Sequence, residues 1–122
     1  CLQAALRDYA RYGQFVLDGG RVQGRSIVPD GWFEAATRTQ VPTGDAGRGY
    51  GYQWWTADDE TFRAIGIHGQ LIYIDPARRL VVAINSAWPE ATSRRRSAAQ
   101  AELLSAISQA IDEDGGLGDG PA

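Results

Sequence analysis

Any acid–base chemistry in this chain has one natural centre. His68 is the only histidine, and it stands in the run Gly66-Ile67-His68-Gly69-Gln70-Leu71. Imidazole is the side chain whose ordinary pKa lies closest to neutrality, so His68 can donate a hydrogen bond or move a proton. A lone histidine is more commonly structural, bonded to nearby backbone. Gly69 and Gln70 beside it narrow that margin, since a glycine at a strand edge lets a ligand approach the backbone. The expected site is therefore His68-Gly69-Gln70 at the start of a strand.

The inventory of other reactive groups is short. The chain has 12 basic residues, all arginine, so a Ser–Lys dyad cannot be built from it. With one cysteine and one histidine it holds no internal disulfide, no cysteine-rich metal site and no two-histidine metal motif, and neither metal nor cofactor is expected. A Ser–His–Asp triad stays open on inventory, although no serine sits in a G-x-S-x-G elbow. Cys1 could be a mature amino-terminal nucleophile or a lipid-bearing residue, but a helix is expected at once after it, and a cut site is the plainer reading. Asp58-Asp59-Glu60 reads as a solvated turn, because three adjacent acids do not converge on one ion. Tyr50, Tyr52, Trp54 and Trp55 either line a cleft or fill the core, and Tyr52 and Trp54 are taken as the substrate-binding candidates.

The elements that must position these residues follow from periodicity. Leu2, Ala5, Leu6, Tyr9, Gly13, Val16 and Leu17 recur at helical spacing, which predicts a helix over Leu2 to Leu17 ended by Gly19-Gly20. Arg21 to Ser26 reads as a connector. A shorter helix is expected from near Pro29 to Thr39. Val41 to Gly49 reads as a loop, and Tyr50 to Trp55 as a strand. Gly66 to Ile74 and Leu80 to Ser86 should pair as an antiparallel hairpin turning at Asp75-Pro76-Ala77-Arg78. Alternation puts His68, Gln70, Ile72 and Ile74 on one face, with Leu71 and Tyr73 on the other. Thr92 or Ser93 can cap a last helix with Ala99, Leu103, Ala106, Ile107, Ala110 and Ile111 as its apolar stripe. First and last helices should share one sheet face. The apolar strand Leu80 to Ile84 wants cover on both faces, more than the chain offers.

Length and composition suit one domain over residues 1–112, with residues 113–122, acidic and glycine-rich, expected to form a flexible tail. The net charge is −3 and no apolar run is long enough to span a bilayer, so neither nucleic acid nor membrane is an expected partner. No leader is visible, which favours the cytoplasm over periplasm or exterior.

The order of these motifs resembles a known family. A helix ending in D-G-G is followed by R-x-x-G-R-x-I-V-P, G-Y-G-Y-Q-W-W, H-G-Q-L-I-Y-I-D-P-x-R-R-L-V-V-A-I-N and a final helix. This resembles the C-terminal part of serine hydrolases related to class C β-lactamases, and within them the 6-aminohexanoate-dimer (nylon-oligomer) hydrolases, over about Leu2 to Ile111. The resemblance implies an α/β (α+β) architecture: an antiparallel sheet flanked by helices, the C-terminal portion of a β-lactamase/transpeptidase-like domain. It implies acyl-enzyme chemistry from a serine in S-x-x-K, assisted by the tyrosine of a Y-x-N-like motif. Neither motif is present. His68-Gly69-Gln70 matches the third box, written K-T-G in lactamases, which assigns the Leu71 backbone N–H to the oxyanion hole. Histidine in place of lysine favours an amidase or esterase over β-lactam hydrolysis. The expected partners are a small amide or ester substrate, an N-terminal segment carrying the nucleophile, and a second copy through an exposed apolar face. A catalytically inactive ligand-binding module of the same fold is the alternative.

Overall fold

The computed structural model describes residues 2–115. Its centre is a six-stranded antiparallel sheet in which every strand pairs with its neighbour in sequence. In sheet order the strands are Val41–Pro42, Arg48–Tyr50, Trp55–Ala57, Phe62–Ile65, Leu71–Asp75 and Leu80–Ile84. They are labelled β3 to β8. Two short strands precede them, β1 (Arg21–Val22) and β2 (Arg25–Ser26), which form a separate two-stranded ribbon where only a connector was expected. The helices are α1 (Leu6–Leu17), α2 (Trp32–Ala36) and α3 (Arg94–Glu113).

The alternation read from the sequence sorts the two faces of the sheet. Ile72 and Ile74 of β7 join Val16, Ala36, Trp54 and Phe62 in one core, against which Tyr9, Phe15, Leu17 and Val81 pack. Leu71 and Tyr73 face the other way and meet Leu104 of α3, with Val82 and Ile84 beside them. The first and last helices therefore lie on opposite faces, not together on one. The reason is that β7 is apolar on both sides and buried throughout, so each face needs its own helix. Gly13 lets α1 lie close to the sheet, since a Cβ there would run into Val81 and Ile72.

Several boundaries differ from the periodicity reading. Helix α1 begins at Leu6, because Ala5 is extended at ψ 150° and no side chain caps it. Helix α2 ends at Ala36, three residues early. The aromatic run splits: β4 ends at Tyr50, β5 starts at Trp55, and Gly51 to Trp54 form the connection, with Tyr52 N–H donating to the Ala36 carbonyl at 2.9 Å. Along α3 the packed positions are Gln100, Leu104, Ile107, Ser108 and Ile111, so the buried stripe is rotated from the one expected and Leu103 is 49% exposed. Ser93 does cap α3, its Oγ accepting from the Arg96 N–H at 3.3 Å. Glu113 closes that helix and is not part of a tail. Residues 116–122 of the expected tail, and Cys1, lie outside the described residues.

The far end of α3 is tied to the β7–β8 turn. The Arg78 guanidinium donates through Nε and Nη2 to both carboxylate oxygens of Asp112, at 2.9 and 2.8 Å, and through Nη1 to Asp75 at 2.8 Å. Asp75 is 1% exposed, so this cation satisfies a carboxylate that the fold has taken out of water. Among the described residues no helix is long and apolar enough to cross a membrane.

Candidate functional site

Register gathers three connections at one end of the sheet. Leu71 opposes Ile84, Ile65 opposes Leu71, and Tyr50 opposes Trp55. The segments Gly66–Gln70, Asn85–Trp88 and Gly51–Trp54 therefore all leave the sheet at the same end.

His68, Gly69 and Gln70 are not the first residues of a strand. Ile67–Gly69 form a single 3-10 turn ahead of β7, with His68 at φ 59° and Gly69 at φ 89°. Two consecutive left-handed residues do not fit a strand, which corrects the alternation that put His68 and Gln70 on a sheet face. The conformation is held by a dense set of bonds. The Gly66 N–H donates to the Gln70 carbonyl at 3.0 Å, and the His68 N–H to the Ala91 carbonyl at 2.9 Å. The Gln70 side-chain amide donates to the carbonyls of Ser86, at 2.6 Å, and His68, at 3.2 Å, while its Oε1 accepts from the Ser86 N–H at 3.1 Å. Gln100 of α3 donates to the Gly69 carbonyl at 2.9 Å. A Cβ on Gly69 would overlap the Trp88 indole, so glycine is required there on both steric and conformational grounds.

The His68 ring is half-buried, and its Nδ1 lies 2.7 Å from the Trp88 carbonyl. A carbonyl only accepts, so Nδ1 carries a proton, and in the neutral ring Nε2 is the acceptor. One nitrogen thus serves the fold and the other remains for chemistry.

The other named residues fare differently. Trp54 is 4% exposed, edge-on to Phe62 with ring centres 5.3 Å apart and stacked on Tyr12 at 6.3 Å. It is a core residue, which corrects its reading as substrate-binding. Tyr52 is 46% exposed and packs against Trp32 at the site's end of the sheet, where a ligand can reach it. Leu71 is 6% exposed and has a strand on each side, so its N–H points into the ladder whichever neighbour it faces. That amide is not open to a substrate oxygen.

An amide that sequence reasoning passed over lies four residues earlier. Strand β5 pairs with β6 only as far as Arg63, leaving the β5-side edge of Ala64–Ile67 without a partner strand. The Ile67 N–H has no acceptor among the described residues, and Ile67 is 65% exposed. Ile65, on the same edge, is 56% exposed. An open groove of about 760 Å³ lies beside this turn on the α1 side of the sheet, bounded by Tyr9, Ala64, Ile67, Gln70, Ile72 and Asn85. The signal available in the sequence was Gly66, which interrupts the strand just before this amide.

On the α3 face, near Ile65, burial and the neighbouring Arg48 hold the Arg63 guanidinium below its ordinary pKa. Arg63 stacks over the Tyr73 ring at 5.2 Å. Burial in turn raises the Tyr73 phenol, helped by the negative charge of Asp75.

A single antiparallel sheet with a helix on each face, and a turn clamped at one end, is the architecture of a β-lactamase-fold hydrolase. The beta-lactamase family model matches residues 2–107, and the chain belongs to that family. It is 34% identical over 117 residues to the 6-aminohexanoate-dimer hydrolase of Paenarthrobacter ureafaciens, an alignment covering 87% of this chain and 30% of that protein. A solved structure from Bacillus anthracis, assigned provisionally as a 6-aminohexanoate-dimer hydrolase, superposes with a TM-score of 0.73 at 28% identity over 90% of this chain and 30% of its own. The chain thus spans about a third of the length of each relative.

Proposed function

We propose that this chain is the C-terminal part of a serine amidohydrolase or esterase that works through an acyl-enzyme. The substrates we assign are small amides or esters, of the linear 6-aminohexanoate-oligomer kind or β-lactam-like. The nucleophilic serine, its lysine and the assisting tyrosine come from a segment outside this chain. This chain contributes the clamped Gly66–Gln70 turn as the third box. The observation that carries the reading is the Ile67 amide, which has no acceptor among the described residues and belongs to an exposed residue just past the free edge of β6. When a serine attacks a carbonyl, negative charge moves onto the carbonyl oxygen. A backbone N–H already aimed at that position stabilises the charge without reorganisation, an effect worth about 3 kcal/mol for a single donor. Ile67 takes the role first given to Leu71, because the Leu71 amide faces a neighbouring strand whereas the Ile67 amide has no acceptor among the described residues. His68 Nε2 and Tyr52 stand at the same end of the sheet as substrate contacts.

The test uses the full-length protein and a fluorophosphonate, which labels an activated serine. One serine outside this chain should be labelled, and amide or ester substrates should turn over. Labelling of a serine within residues 1–122, or the absence of any labelled serine, overturns the reading.

A further inference from the structure

Helix α3 reaches the candidate site through one side chain. Gln100 donates from Nε2 to the Gly69 carbonyl at 2.9 Å, across a small cavity of about 140 Å³ bordered by Trp88, Ser97 and Leu104. Every other hydrogen bond on the turn comes from residues 66–91, the turn itself and the segment that follows β8. Gln100 stands one helical turn before Leu104, on the packed side of α3, where an apolar residue would suit the sheet. A glutamine there is explained by the carbonyl it meets.

Gly69 has no side chain to restrain its dihedrals. Its conformation at φ 89° persists only as far as its carbonyl and its neighbours are held. With that carbonyl released, the 69–70 peptide loses its tie to α3. His68 stays tied to Ala91 and Trp88, but the turn that carries it and the Ile67 amide then has no brace from α3.

We propose that Gln100 is a positioning residue for the hydrolytic site, acting through the Gly69 carbonyl to keep the Ile67 amide and the His68 ring aimed at the substrate. This rests on the hydrolase reading above. The anchoring of α3 itself falls to Leu104 and to the Asp112–Arg78 pair, so loss of the Gln100 amide should leave the helix docked.

The experiment compares Gln100→Met, which keeps length and volume but no donor, with Gln100→Lys, which keeps a donor. Both are made in the full-length protein. In Gln100→Met, hydrogen exchange at the hydrogen-bonded Gly66 and His68 amides of the turn should quicken by roughly tenfold while β7 and β8 are unchanged. Turnover should fall with it: kcat drops by roughly tenfold at a nearly constant KM, because the lost alignment matters most as charge develops. Gln100→Lys should recover most of both. Unchanged exchange in the turn of Gln100→Met overturns the proposal. So does a loss of kcat that Gln100→Lys fails to recover and that tracks a lower thermal midpoint. A wild-type protein that neither turns over amides nor takes up fluorophosphonate overturns the hydrolase reading instead. Turn exchange then still decides whether Gln100 holds the turn.

Discussion

Gly69 shows how much one residue carries at this site. Its φ of 89° and the Trp88 indole against its Cα both exclude a side chain. Gly69→Ala should therefore destabilise the chain by about 1–3 kcal/mol, the usual cost of forcing a side chain into such a conformation. Urea unfolding at a constant slope measures this, and an unchanged midpoint would show that the turn adapts. His68→Ala should lower turnover of the full-length protein while leaving serine labelling detectable. Complete loss of labelling would place His68 in the nucleophile's own machinery. Asp112 makes a pH prediction. Hydrogen bonds from Arg78 hold its carboxyl below the ordinary carboxylate value. Its folded pKa is depressed, so its contribution to stability is complete above the unfolded pKa of about 4 and is lost as pH falls through the folded value. The stability gap between wild type and Asp112→Asn should therefore shrink below about pH 4. A gap that stays constant down to about pH 2 would contradict the bond.

At the scale of elements, α3 gives the clearest lesson. Leu103 and Leu104 are adjacent, and alanines surround both on the helix, so the apolar residues do not define a single stripe. The sheet chooses the phase: Leu104 is 5% exposed against Leu71 and Tyr73, and Leu103 is 49% exposed. Leu104→Ala should cost about 2–5 kcal/mol in thermal or denaturant unfolding. Leu103→Ala should cost less than about 1 kcal/mol, as surface changes do. Equal losses would mean that α3 has turned. The β7–β8 hairpin was more legible. The facing of Leu71, Ile72, Tyr73 and Ile74 follows from alternation, and the Asp-Pro signal marks the turn, which lies one residue later than expected, at Pro76 to Arg79, because Asp75 still pairs with Leu80. Its beginning was not legible, because nothing local announces that His68 adopts a left-handed conformation.

At the scale of the whole molecule, the chain leaves apolar side chains uncovered. Ile65 and Ile67 line the free flank of β6, Trp55 lies on the α3 face of the sheet, and Leu103 is on the solvent side of α3. We propose that a segment beyond this chain covers the Ile65–Ile67 flank, and that without it two copies associate there. An apolar surface of this kind should bind an environment-sensitive dye, and sedimentation of the 122-residue chain should show concentration-dependent association. A dye-silent monomer would count against that cover. The isolated chain should also fail to hydrolyse esters, amides or β-lactams. A neutral serine is a poor nucleophile without a base beside it, and no lysine is present to serve. Stoichiometric labelling of the isolated chain by fluorophosphonate would show that one of its serines has a base after all.

What the sequence determined by itself were the features with local causes. The antiparallel hairpin, the helix ending at Gly19-Gly20, the Ser93 cap and the absence of a Ser–Lys pair are all written in residue type and spacing. Short-range rules suffice for these, because alternation, capping and turn chemistry act within a few residues. The tertiary structure decided what depends on distant partners. It put α1 and α3 on opposite faces because β7 is apolar on both. It sent Trp54 to the core and left Tyr52 outside. It closed Leu71 into the ladder and left the Ile67 amide without an acceptor among the described residues, since β5 stops pairing at Arg63. And it brought Gln100 to the Gly69 carbonyl across 31 positions of sequence, a contact that no local pattern encodes.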